Sequence, residues 1–145
     1  MESKYINRFK SFCKSLDGLL EAKNRDASDD FVLSGTVQKF NLTFDISWKV
    51  MKDIIVKYHK VQTFATGSPR ETLRTANSVG LISDDIWMDM LDDRNNLAHD
   101  YDGEMAKDCF ERIVGEYTQV FVKFKEKAQY YMKEMQKEDG ITNNP

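Results

Sequence analysis

The strongest constraint on this chain is an apolar repeat at helical spacing that persists for about seven turns. Leu33, Val37, Phe40, Phe44, Trp48, Met51, Ile55 and Tyr58 follow one another three or four residues apart. That is the period of one face of an α-helix. A second set, Leu42, Ile46, Val50 and Ile54, falls on a separate face of the same segment. A helix apolar on two sides must be covered on two sides. The segment therefore belongs at the centre of a bundle, its second cover being either another subunit or the chain's own four-helix core.

Little in the sequence interrupts long helices. Pro69 is the only proline before the last residue, and there are seven glycines. Tyr5, Phe9, Phe12, Leu16 and Leu19 predict a first helix that frays near Lys23. The polar connection after it offers Ser28 or Asp29 as the next N-cap. Ser68-Pro69-Arg70-Glu71 has the form of a capping box with proline at the first helical position, and Gly80 suits the end of that short helix. Ser83-Asp84-Asp85 opens a further helix carrying Ile86, Trp87, Met90 and Leu91 towards Arg94. The last long helix begins near Asp102 and runs through Ala106, Phe110, Ile113, Tyr117, Val120, Phe124 and Tyr131. The expectation is an all-α protein, an up-and-down four-helix-type bundle with an extra short helix, assembling as a dimer. Residues 1–137 form one domain, and 138–145 read as a disordered tail. At 145 residues a core of this kind needs no disulfide or metal.

Charge narrows the function. A formal net charge of −3 opposes a role in coating nucleic acid generally, while leaving room for a local RNA site. Cys13 and Cys109 both sit in helical patterns and read as free thiols in a reducing cytoplasm. The N-terminal residues lack the apolar core of a secretory signal, and no run approaches the ~20 apolar residues of a membrane span. A cytoplasmic protein without a membrane partner is expected.

The groups able to do chemistry concentrate in residues 92–101. Arg94 carries a planar cation matched to phosphate. His99 has the side chain suited to proton transfer near neutral pH. Asn95 lies one turn before His99, and Tyr101 adds a hydroxyl two residues beyond it. Five residues along a helix leave Arg94 and His99 about 140° apart, so one copy joins them only if the helix bends or ends between them. A two-fold axis beside the segment would instead bring together two arginines and two histidines. In the structural alternative Arg94 pairs with Asp93 or Asp100 and His99 satisfies a helix end. His59 reads as a surface residue. Asp84-Asp85 and Asp92-Asp93 read as capping and solvated charge, no His/Cys cluster has zinc spacing, and there is no glycine-rich phosphate loop. No metal and no cofactor are expected.

Several segments together resemble a known family. Phe44-Asp45-Ile46-Ser47-Trp48-Lys49-Val50-Met51-Lys52-Asp53 is similar to the second-helix signature of the nucleotidyltransferase substrate-binding subunits, a family of the HEPN superfamily. Ser68-Pro69-Arg70-Glu71, Gly80-Leu81-Ile82, the run from Trp87 to Asn95 and Ala98-His99-Asp100-Tyr101-Asp102 continue the likeness in order. It covers roughly residues 31–131. The resemblance implies a dimeric helical bundle, or a higher even-numbered oligomer, whose partner is a minimal nucleotidyltransferase. Arg94, His99 and Tyr101 match the Arg-x4-His-x-Tyr motif of HepT-type toxins. There the arginine and histidine serve metal-independent RNA cleavage, and the nucleotidyltransferase silences the toxin by adding AMP to the tyrosine. Asn95 matches the polar residue that commonly follows the motif arginine and would support the site. The older family description implies a different role, a non-catalytic nucleotide-binding or regulatory subunit with Arg94 as a phosphate clamp.

Overall fold

Asp29, Ser68 and Asp102 each turn a side-chain oxygen back onto the free amides of a helix start, and these three caps set the frame of the molecule. The computed structural model describes residues 3–61, 67–99 and 102–140. Helix α1 spans Lys4–Leu20 and tightens into a 3-10 turn at Glu21–Asn24. Helix α2 spans Asp30–Lys57, α3 Pro69–Ser78 and α4 Ile86–His99. Helix α5, Gly103–Arg112, passes through a π turn at Ile113–Tyr117 into α6, Thr118–Glu138. The fold is all-α.

Side-chain pairs fix the directions. Arg8 near the start of α1 meets Asp53 near the end of α2 at 2.7 Å, so these helices are antiparallel. Asp139, just past α6, accepts from Tyr5 and from Lys57, each at 2.6 Å, which sets α6 parallel to α2. Trp87 packs on Phe124 while Asp93, further along α4, reaches Arg112 and Tyr117, so α4 runs against α5 and α6. The result is an up-and-down bundle of α1, α2, α4 and α5–α6, with α3 as the extra short helix. The final turn is part of it: Glu138 is helical and pairs with Lys60, and Asp139 clamps α1 to α2. Residues 138–140 of the expected tail thus lie at the exposed end of α6, where Lys57, Lys60 and Tyr5 pair with Glu138 and Asp139. Residues 141–145 lie outside the described residues.

Helix α2 is the axis. Leu33, Val37, Phe40, Phe44, Met51 and Ile55 are buried, as are Val50 and Ile54 from its second stripe. Leu42 remains 55% exposed and Ile46 is half-buried. The second face is thus covered by the chain itself in its later half and left open in its earlier half. Thr36, Thr43 and Ser47 are also buried, each donating its hydroxyl to a carbonyl three or four residues back. Because Thr43 spends its proton on Lys39, Ser15 is the donor in the 2.7 Å bond between their hydroxyls that ties α1 to α2. Phe40 stacks on Tyr117 at 5.4 Å, and Phe12 and Trp87 meet Phe121 and Phe124 edge-on. Cys13 and Cys109 are free, the first half-buried and the second buried.

Candidate functional site

Asp93 and Arg94 are neighbours in sequence, yet α4 turns them to opposite sides and gives each a forked ion pair. Asp93 accepts from Arg112 Nε and Nη2 at 2.8 and 3.0 Å, and from the Tyr117 hydroxyl at 2.5 Å. Arg94 donates from Nε and Nη2 to the two oxygens of Asp45 on α2, at 2.9 and 2.8 Å. Both are the two-bond geometry in which a guanidinium and a carboxylate fit best. Together they lock the rotation of α4 between α2 on one side and the α5–α6 junction on the other. The alternative pairing of Arg94 with Asp93 does not form, since Arg112 and Tyr117 occupy that carboxylate. Asp100 lies outside the described residues.

The Arg94 side chain is about one third exposed, at 29%, on the wall of a cleft of about 230 Å³. Its hydrogen bonds to Asp45 push the guanidinium above its ordinary pKa, so it is a permanent cation held in a fixed orientation. Nη1 is not engaged by Asp45 and approaches Asn95 Oδ1 at 3.5 Å. That leaves donors of the fork directed away from the carboxylate. The cleft walls come from three elements. Phe44, Asp45, Trp48 and Lys49 belong to α2, Pro69 opens α3, and Leu91, Arg94 and Asn95 belong to α4. All eight stand in the segments that carry the family resemblance, so stretches distant in sequence meet around one space.

His99 is the last residue of α4 and exposed. Helix α4 runs unbroken through both positions, so the roughly 140° between Arg94 and His99 is retained. A single copy brings Arg94 and Asn95 to the cleft and does not bring His99 beside Arg94. Tyr101 lies outside the described residues. His59, read as a surface residue, is half-buried against Tyr58 and Tyr131, with ring centroids at 5.0 and 5.7 Å. Burial lowers its pKa. Burial pushes the Cys109 thiol up to about 12, with Asp93 nearby adding to the effect. Among the described residues no three His, Cys, Asp or Glu side chains gather as metal ligands would, and no helix is long and apolar enough to cross a membrane.

Asp45 is the residue that the sequence reading left without a role. Its signal was present: a carboxylate within the apolar run from Leu42 to Met51 requires a partner if the helix packs there. Which of the arginines supplies it depends on how α4 lies across α2.

Two comparisons bear on this arrangement. Residues 4–130 match the family described as nucleotidyltransferase substrate binding protein like. A protein of Haemophilus influenzae described as probable ribonuclease HepT is 32% identical over 87 residues, covering 58% of this chain and 59% of that protein. The chain thus matches under two thirds of that relative's length. With the bundle, the cleft and a family match that spans most of the sequence in view, the chain belongs to the nucleotidyltransferase substrate-binding-protein-like family, the HepT-like group of HEPN proteins.

Proposed function

We propose that the chain is the toxin subunit of a HEPN/minimal-nucleotidyltransferase toxin–antitoxin module and cleaves RNA in the cytoplasm without a metal ion. The observation that carries this reading is the Arg94 cleft: a phosphate-matched cation, oriented by Asp45, on the same helix as an exposed histidine. The description of the Haemophilus influenzae relative as a ribonuclease supports it. Because α4 keeps Arg94 and His99 apart within one copy, the working site is built from two copies. One His99 takes the proton of a ribose 2′-hydroxyl, and the oxygen attacks phosphorus. The bond to the 5′-oxygen breaks, and the partner copy's histidine returns a proton to that leaving oxygen. Arg94 from both copies stabilises the charge that develops on the phosphate, with Asn95 beside it. Tyr101, next to this site in sequence, is the position at which a minimal nucleotidyltransferase would add AMP and silence the toxin.

A second reading is a non-catalytic subunit that holds a nucleotide for that partner. The family description favours it, and the cleft with Arg94 and Asn95 would be the nucleotide site. Inducing the chain alone in cells, beside His99→Ala, separates the two. Growth arrest with RNA cleavage that vanishes in His99→Ala is the expected result. Asp45→Asn, which frees the Arg94 guanidinium to wander, should lower the cleavage rate of purified protein between ~10- and ~100-fold. Normal growth and intact RNA at good soluble expression would sink the ribonuclease reading in favour of the binding subunit.

A further inference from the structure

The acidic balance of the whole chain hides a local reversal. Between α1 and α2 lies a groove of about 460 Å³ lined by Lys4, Arg8, Lys49, Lys52 and Lys57, with Asp53 as its one carboxylate. Asp53 is taken by Arg8 at 2.7 Å, and Lys57 is paired with Asp139. Lys4, Lys49 and Lys52 take part in none of the ion pairs found among the described residues. Five cations thus line the groove against one carboxylate, Asp53, which feels both Arg8 and Lys52, in a protein of net charge −3.

The groove adjoins the Arg94 cleft. Trp48 and Lys49 line both spaces. Asp45, Lys49, Asp53 and Lys57 fall four residues apart on α2, with Trp48, Lys52 and Val56 in the adjoining row. One helix ridge thus leads from the cleft along the groove, about 18 Å from Asp45 to Lys57. At the junction stands the half-exposed indole of Trp48, with Lys49 Nζ 5.9 Å from its centroid. An excess of cations along a groove with an aromatic side chain beside it is the combination that holds a single nucleic-acid strand: the cations take phosphates, the ring takes a base.

We infer that the α1–α2 groove holds the flank of a single-stranded RNA whose reacting phosphate lies in the Arg94 cleft. The inference rests on the ribonuclease reading for the identity of the polyanion. It explains how a chain with an acidic total charge can grip RNA: binding follows the local field, and the opposing charges lie elsewhere on the surface.

The test uses the full chain in the His99→Ala background, so that the strand survives the measurement. Two labelled single-stranded RNAs of equal base composition, one of about four and one of about sixteen nucleotides, are titrated over a range of salt. Lys4→Gln with Lys52→Gln should weaken binding of the long RNA roughly tenfold at low salt and reduce the slope of log K against log salt by about 1.4, two phosphate contacts' worth. The short RNA should bind as before. Lys4→Glu with Lys52→Glu should lose more, while helicity by circular dichroism stays unchanged. Equal losses for both lengths, or none for the long RNA, would overturn the groove. So would a variant that keeps RNA and loses only its nucleotidyltransferase, because the groove would then be a protein-docking face. Separate assays of the unsubstituted chain distinguish the two ideas. Cleavage with unaltered binding in the lysine variants leaves the ribonuclease and removes the groove. Lysine-dependent binding without cleavage does the reverse, and no binding at all removes both.

Discussion

At the scale of single residues, the buried pairs around α4 determine how the protein responds to pH. Tyr117 is 1% exposed, and burial together with the Asp93 hydrogen bond raises its pKa. Cys109 is pushed from 9.0 to about 12. Both groups hold their protons in the folded state after the unfolded chain has released them. Their contribution to stability is therefore complete below about pH 9 and is lost as pH rises towards about 12. Unfolding in urea should show a falling midpoint across that window. Tyr117→Phe should flatten the fall and, at neutral pH, cost about 2 kcal/mol for the lost bond to a charged partner. A midpoint that stays level from pH 9 upwards would contradict the assignment of these two groups as buried and protonated. Asp45 and Asp93 carry the same lesson for function. Each is a half-buried carboxylate that fixes a guanidinium, and nothing in its immediate sequence names the guanidinium it meets.

At the scale of elements, the same spacing is resolved in two ways. Arg112 and Tyr117 are five residues apart, as are Arg94 and His99. In an uninterrupted α-helix such residues diverge by about 140°. Between Arg112 and Tyr117 the chain makes a π turn, and both side chains reach Asp93. Helix α4 makes no such turn, so His99 stays away from Arg94. The chain can close a five-residue gap within one helix, and at the candidate site it does not. Glycines give the element-scale prediction. Gly115 sits in the π turn, exposed, with nothing within 4 Å of an added Cβ, so Gly115→Ala should stabilise by about 0.5–1 kcal/mol. Gly80 ends α3 at a φ of +80°, and Gly80→Ala should destabilise by about 1 kcal/mol despite open space. Equilibrium denaturation of the two variants checks the opposite signs.

At the scale of the whole molecule, one copy keeps Arg94 and His99 on different sides of α4. Leu42 and Ile46 form the uncovered half of the second α2 stripe and lie within one turn of Asp45. The two-copy site proposed above would use that strip as the contact between copies. Sedimentation should give a mass that is an even multiple of 16.9 kDa. Leu42→Asp should shift it towards the single chain and remove RNA cleavage with it. A monomeric wild type that still cuts RNA would refute the two-copy site.

Much of this was legible before any coordinates. The periodicity of residues 33–58 implied the all-α bundle and the central place of α2, because a helix this apolar has no stable exposed state. Asp29, Ser68, Asp102 and Gly80 marked helix ends through local backbone chemistry, which needs only a few neighbours to operate. Arg94, Asn95 and His99 were legible as residue types suited to phosphate and proton transfer. Tertiary structure alone decided the rest: that Asp45 holds Arg94 while Asp93 turns to Arg112, that a π turn interrupts the last helix, and that cations from α1 and α2 face one groove. These depend on how helices rotate and cross, which packing of the whole core sets, and a one-dimensional pattern carries the period of a face without the identity of what lies against it.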